Sequence, residues 1–312
     1  MNALAQSGVA GVATVLALAA VATGPVTAQE TPPETVELTG IVRDFRERTD
    51  NGGHPDFERR PPEGYRLYKG LVETFLDENG RPVFTGEGTV MRKSWRDWQG
   101  KRICACVASR HPRSGDKSGK AAETGSGGIQ SPRSFELWYQ DQAGINMPAT
   151  LAITFLKRED GAWAFDDELD PAYAELGGFF PIDGQLFGNS GSVEGIPDHN
   201  YHFTFELHAT FTWTSGTDRF LEIRADDDLW VFINGELVID LGGVHRAKSQ
   251  YLDLGRLGLT NGATGRLDLF YADRHRKDAK LRIVTNIDDL RPSDTPSEEG
   301  PSLGNADATS EE

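Results

Sequence analysis

Between Tyr201 and Trp213, the residues Phe203, Phe205, Leu207, Ala209, Phe211 and Trp213 alternate with His202, Thr204, Glu206, His208, Thr210 and Thr212. Successive side chains on a strand point to opposite sides, so this alternation predicts a β-strand with one buried face. Leu221-Glu222-Ile223 predicts a second strand. Leu229 to Ile233 is a continuous apolar run, which predicts a strand covered on both faces. Asn234-Gly235 follows it and precedes Glu236–Ile239. Asn-Gly tolerates positive φ at both positions, so this pair predicts a type I′ hairpin. Leu267–Tyr271 and Leu281–Thr285 add two more strands. Strands this frequent, with no helical segment between them, point to an all-β sandwich or barrel.

Charge narrows the partners. The chain has 312 residues and a formal net charge of −16. A surface of that sign disfavours duplex DNA, whose phosphates need a basic face, so no nucleic-acid partner is expected. It suits soluble surfaces, cationic ligands or bound metal ions. The acidity is uneven. Arg92 to Arg133 holds ten Lys/Arg against three Asp/Glu, whereas Asp288 to Glu312 holds one against eight. Within the basic stretch, Arg113 to Pro132 is rich in Gly, Ser and Lys and reads as a mobile, solvated loop. A polyanion-binding role is the alternative for it.

The ends read differently from the body. Met1–Gln29 carries no charged side chain, has an apolar core from Val9 to Val21, and ends in Gly24-Pro25 and Val26-Thr27-Ala28. That pattern predicts a signal peptide over residues 1–28, hence a secreted protein with no membrane span after cleavage. The alternative, an uncleaved anchor, has a short apolar core for the ~20 residues that a span requires. Residues 291–312 are mostly Pro, Ser, Gly, Thr, Asp and Glu, which predicts a disordered acidic tail.

Cys104 and Cys106 lie in the strand-like run Ile103–Val107. On an extended chain, Cα atoms two residues apart sit near the upper limit for a disulfide, so the pair reads as incidental or labile. Asp226-Asp227-Asp228 lies between two core strands. Adjacent carboxylates repel one another, and a hard cation such as Ca²⁺, which takes oxygen ligands, would offset the cost. The alternative is an exposed acidic turn. A zinc site at His199, His202 and His208 is disfavoured, because His202 and His208 would lie about 20 Å apart along a strand. Asp166, Asp167, Glu168 and Asp170 could supply the two carboxyl groups of a polysaccharide hydrolase. No nucleophile elbow, phosphate loop, dinucleotide fingerprint or zincin motif occurs.

Longer motifs carry a resemblance. Asp226–Gly235 followed by Ile239-Asp240-Leu241-Gly242-Gly243-Val244-His245 resembles the core of the bacterial fibro-slime domain. Gly40–Phe45 and His54-Pro55-Asp56-Phe57-Glu58 resemble its beginning. Phe135–Tyr139, Gly144-Ile145-Asn146 and Phe179–Asp183 resemble its middle, and Phe270–His275 its end. The match runs in order from Leu38 to Ile287. Its second half is similar to the protective-antigen-type domain, a lectin-like β-sandwich.

The resemblance implies a fibro-slime region over 29–130, including the basic loop, and a sandwich over 131–290. It also implies a successive Asp pair joined by a cis peptide, which holds Ca²⁺ that in turn holds sugar hydroxyls. Asp226 and Asp227 match that pair, and Asp273 stands near the position of a third ligand, an Asn in flocculins. Asp228 replaces a Gly often found after the pair. Trp230, Asp228 and His245 are the further ligand-binding candidates, with Trp213 and Tyr271 as other rings. The expectation is a non-catalytic, Ca²⁺-dependent carbohydrate-binding or adhesion module with a cell-surface or matrix polysaccharide as partner. The alternatives are a structural matrix protein in which Ca²⁺ only rigidifies loops, and the hydrolase above.

Overall fold

The structure is a computed structural model that describes residues 34–293. The expected signal peptide and the tail beyond Ser293 lie outside the described residues. The strands are β1 (Thr35–Phe45), β2 (Tyr68–Lys69), β3 (Gly88–Lys93), β4 (Trp95–Arg96), β5 (Arg102–Ile103) and β6 (Lys120–Gly125). They continue as β7 (Asn146–Lys157), β8 (Trp163–Asp166), β9 (Phe203–Thr212), β10 (Phe220–Asp226) and β11 (Asp228–Ile233). The last are β12 (Glu236–Leu241), β13 (Lys248–Asp253), β14 (Thr264–Asp273), β15 (Lys280–Thr285) and β16 (Arg291–Pro292). Short helices α1 (Ala105–Arg110), α2 (Pro132–Glu136) and α3 (Pro171–Ala174) interrupt them.

The main sheet runs β12-β11-β14-β9-β1-β7-β8-β15-β10-β13, with antiparallel neighbours, and β16 pairs with β9. It curls until its two halves face each other as a sandwich. Leu207, Leu267 and Leu269 of one half meet Phe155, Leu221 and Ile283 of the other in a single apolar core. The outer strands β12 and β13 close that side through Gln250, which bonds both Asp240 N (2.9 Å) and Asp240 O (2.7 Å).

β1 lies between β7 and β9, so the sandwich takes a central strand from outside the range 131–290. Gly40 permits this pairing, because a Cβ there would stand 2.1 Å from Glu206 O and 2.6 Å from the Phe205 ring.

The predicted hairpin forms between β11 and β12, with Asn234 at φ 51° and Gly235 at φ 79°. Both faces of β11 are buried, as its unbroken apolar run requires. Leu229, Val231 and Ile233 enter the main core. Trp230 and Phe232 pack instead with Tyr68, Leu71, Phe84, Phe135 and Trp138, which come from the chain between β1 and β7.

That covering layer corrects one expectation. β9 is buried on both faces along most of its length, not on one. Its polar face survives burial because each group finds a partner: Thr204 Oγ1 donates to Trp138 O (2.6 Å), Glu206 pairs with Arg43 (2.9 Å), and His208 with Asp268 (2.6 Å).

The Arg113–Pro132 segment is built into the fold rather than free. Arg113 pairs with Asp253, Asp116 pairs with Arg256, and β6 pairs with β3. The strand expected at Ile103–Val107 is also corrected. β5 stops at Ile103 and α1 begins at Ala105, with Cys104 as its N-cap. Helical curvature shortens the Cα–Cα distance of Cys104 and Cys106 to 5.2 Å, within the range of a disulfide, and the two are bonded.

Candidate functional site

β10 ends at Asp226 in one half of the sandwich and β11 starts at Asp228 in the other. Asp227 alone makes the crossing, and the Asp226–Asp227 peptide is cis. The Asp227 carboxylate accepts hydrogen bonds from the main-chain amides of His245 (3.0 Å) and Arg274 (3.2 Å). Tyr271 donates its hydroxyl to Asp226 O. Asp273 ends β14 on the neighbouring strand, in the residue after Ala272, which pairs with Asp228. It is completely buried, and neither carboxylate oxygen has a hydrogen-bond partner of normal geometry among the described residues.

These carboxylates share one electrostatic environment. Burial pushes the Asp227 and Asp273 pKa values well up, and repulsion from the neighbouring aspartates adds to it. Burial likewise raises Asp226, to about 7. The donor set is wholly carboxylate oxygen, which suits a hard cation, and a divalent charge would oppose the repulsion. The chemistry of these donors suits the group that the resemblance implies, while among the described residues it is Glu47, Glu58 and His202 that bring three ligand atoms within 4.8 Å of one another.

Asp228 is a different case. Its carboxylate accepts Nε–H of Arg274 at 2.7 Å and the amide of Gly243, and both Asp228 and Arg274 are fully buried. Arg274 also donates to Gly127 O (3.0 Å) and lies 5.0 Å from the Trp138 ring centroid. Asp228 is thus turned away from any ligand and ties three loops together. The other expected ligand contacts are also relocated. Trp230 is 0% exposed and donates Nε1–H to Asp240 (3.2 Å), so it offers no stacking face. Tyr271 and Trp213 are buried as well. His245 is buried between the carbonyls of Leu241 and Arg246, and its contribution to Asp227 is its main-chain amide.

Asp226 and Asp227 line a cavity of about 910 Å³. The opposite wall comes from the covering layer, including Tyr65, Lys93 and Arg102. Tyr65 is an aromatic ring that faces this space. It is 45% exposed and meets His275 edge-on at 4.9 Å. Nothing in its sequence surroundings singles it out, because its position depends on how the covering layer docks.

Other acidic clusters are matched by cations. Asp166 pairs with Arg282 (2.8 Å), Asp167 with Lys280 (3.3 Å) and Glu168 with Arg224 (2.9 Å), while Asp170 caps α3. Glu47, Glu58 and His202 offer ligand atoms within 4.8 Å of one another. There Arg276 already bonds Glu47, and His275 approaches Glu58 to 2.9 Å. His199 and His208 bond other acids, Asp183 and Asp268, so the three histidines share no ligand set. Among the described residues no helix is long and apolar enough to cross a membrane.

Protein psiJ of Dictyostelium discoideum is 31% identical over 259 residues, covering 79% of this chain and 30% of the relative. Protein psiQ of the same organism is 35% identical over 171 residues, covering 51% of this chain and 16% of the relative. The chain thus spans less than a third of the length of these curated relatives. Among solved structures, a PA14 sugar-binding domain from an RTX adhesin covers 82% of this chain and 90% of its own, at 12% identity and a TM-score of 0.25. PA14 domains form a family of carbohydrate-binding and adhesion modules, which also occur within glycosidases. Residues 184–299 match the family model of the PA14 domain, and Asp226, Asp227 and Asp273 all lie within that match.

Proposed function

We propose that this protein is a secreted, Ca²⁺-dependent carbohydrate-binding or adhesion module, with a cell-surface or matrix polysaccharide as its partner. One observation carries the reading: among the described residues, buried Asp273 has no cation and no side-chain donor beside Asp226 and Asp227, which open onto a large cavity. Asp226, Asp227 and Asp273 would hold the cation, which would supply a Lewis-acidic centre for sugar hydroxyls. Asp227 is oriented by the amides of His245 and Arg274, and Asp226 by Tyr271 through its carbonyl. The fibro-slime resemblance over Leu38 to Ile287 supports an extracellular, matrix-associated setting, as does the signal-peptide pattern expected over residues 1–28.

A second reading keeps the cation and drops the sugar: Ca²⁺ would only rigidify the loops between β10 and β11. It is favoured by the burial of Asp226, Asp227 and Asp273, none more than 7% exposed. Thermal unfolding with and without Ca²⁺ tests the shared step. At a hundredfold excess over Kd the native state should gain about 2.7 kcal/mol. The double variant Asp226→Asn, Asp227→Asn should lose that gain, and an unchanged gain would remove the site. A glycan array run with and without chelator then separates the readings, since only the first predicts binding that chelation abolishes.

A further inference from the structure

The cavity beside Asp226 and Asp227 is lined by eight Lys/Arg side chains against three Asp, in a chain whose net charge is −16. Arg66, Lys93, Arg102, Arg246, Lys248 and Lys277 all line it and are all exposed. Among the described residues none of them has a carboxylate within salt-bridge distance. Elsewhere basic side chains are commonly matched, as at Arg282 with Asp166 and Arg256 with Asp116. Two further cations at this cavity are matched: Arg92 with Glu123, and Arg276 with Glu47.

The unmatched group is assembled by the fold. Arg66 lies before β2, Lys93 ends β3, Arg102 opens β5, Arg246 and Lys248 follow β12, and Lys277 lies between β14 and β15. Like charges drawn from separate stretches to one concave surface raise its potential and attract anions. The carboxylates on the same wall are Asp226, Asp227 and Asp278. The first two sit at the buried base, whereas Asp278 stands exposed among the cations of the rim.

We infer that the ligand of this cavity is an anionic saccharide, one whose sugar units carry carboxylate or sulfate groups. This rests on the carbohydrate-binding reading above and adds the charge of the sugar. Hydroxyls of the ligand would face the aspartate base, its acid groups would meet Lys93, Arg102 and the other rim cations, and exposed Tyr65 offers a ring to an apolar sugar face. A nucleic acid fits less well. The aspartate base would repel any phosphate that entered.

The test is calorimetric titration of the full chain, in Ca²⁺, with oligosaccharides of matched length: a uronate oligomer, a sulfated oligomer and a neutral one. A single-stranded oligonucleotide of equal charge is the fourth ligand. The expected result is tighter binding of at least one acidic sugar than of the neutral sugar, weakened by added salt. The double variant Lys93→Gln, Arg102→Gln removes two rim charges and should weaken acidic-sugar binding by about tenfold, leaving the Ca²⁺-induced thermal shift unchanged. The uronate and sulfated arms identify which acid group is read. Equal binding of neutral and acidic sugars would overturn this inference and leave the carbohydrate-binding reading standing. Binding of no sugar at all would overturn both. Acidic-sugar binding that survives chelation would uphold the inference and defeat the Ca²⁺ dependence. An oligonucleotide bound as tightly as the sugars would assign the rim to polyanions in general and overturn the saccharide.

Discussion

Asp228 and Asp273 lie on adjacent strands one register position apart, both fully buried, yet they have opposite surroundings. Asp228 is met by the Arg274 guanidinium and the Gly243 amide. Among the described residues Asp273 is met by no cation and no side-chain donor, and it has Asp226 and Asp227 as acidic neighbours. A buried charge is tolerated when it is paired and hydrogen-bonded, and is costly otherwise. The first aspartate is therefore part of what holds the fold, and the second is a place where the fold has left charge for something else to match.

The sharpest way to break this contrast is to strip Asp228 of its partner. Arg274→Met should cost about 3–5 kcal/mol in denaturant unfolding, with or without Ca²⁺, because it strands a buried carboxylate. A mild effect would mean that Asp228 is hydrated or shares the cation. The opposite sign is expected at the other aspartate. At a pH high enough to ionise Asp273, Asp273→Asn should stabilise the chelated protein by about 1–3 kcal/mol by removing an unmatched charge, while abolishing the Ca²⁺ gain. Destabilisation in chelator would show that Asp273 has a structural partner after all.

A third buried cluster gives the smallest effect and extends the comparison to pH. Burial alone would lower the His208 pKa, but its bonds to Asp268 and Glu206 outweigh this and raise it. A raised histidine pKa adds stability that is fully present below the unfolded value of about 6.5 and is lost as pH rises through the folded value. Wild-type stability should therefore fall as pH rises beyond about 6.5. In His208→Asn that part of the slope should vanish, and an unchanged slope would assign it to another group.

Each of these clusters was only half legible in the chain. Asp226-Asp227 stands out because two adjacent carboxylates between core strands already violate local preference. That Asp228 belongs to Arg274 is invisible, since the two are far apart in sequence and meet only when β14 pairs with β11. Trp230 reads equally well as a stacking platform or as core. The side of β11 it occupies is known from the alternation, but whether that side is covered depends on Phe135 and Trp138 docking from the earlier chain. Asp56 shows the same limit. It is part of the His54–Glu58 motif, and its role is to accept from Gln130 N, Ser134 Oγ and Trp138 Nε1, which fastens that layer in place.

The sequence by itself determined the strands and the hairpin, because side-chain alternation and positive φ at Asn234-Gly235 are properties of neighbouring residues. It also marked the aspartate pair, through the repulsion of adjacent charges. Only the tertiary structure decided that β1 enters the sandwich, that both faces of β9 are dry, and which carboxylates are matched. It alone gathered Arg66, Lys93, Arg102 and Lys277 around Asp226 and Asp227. Charge and burial depend on what lies across space, and no local period carries that information.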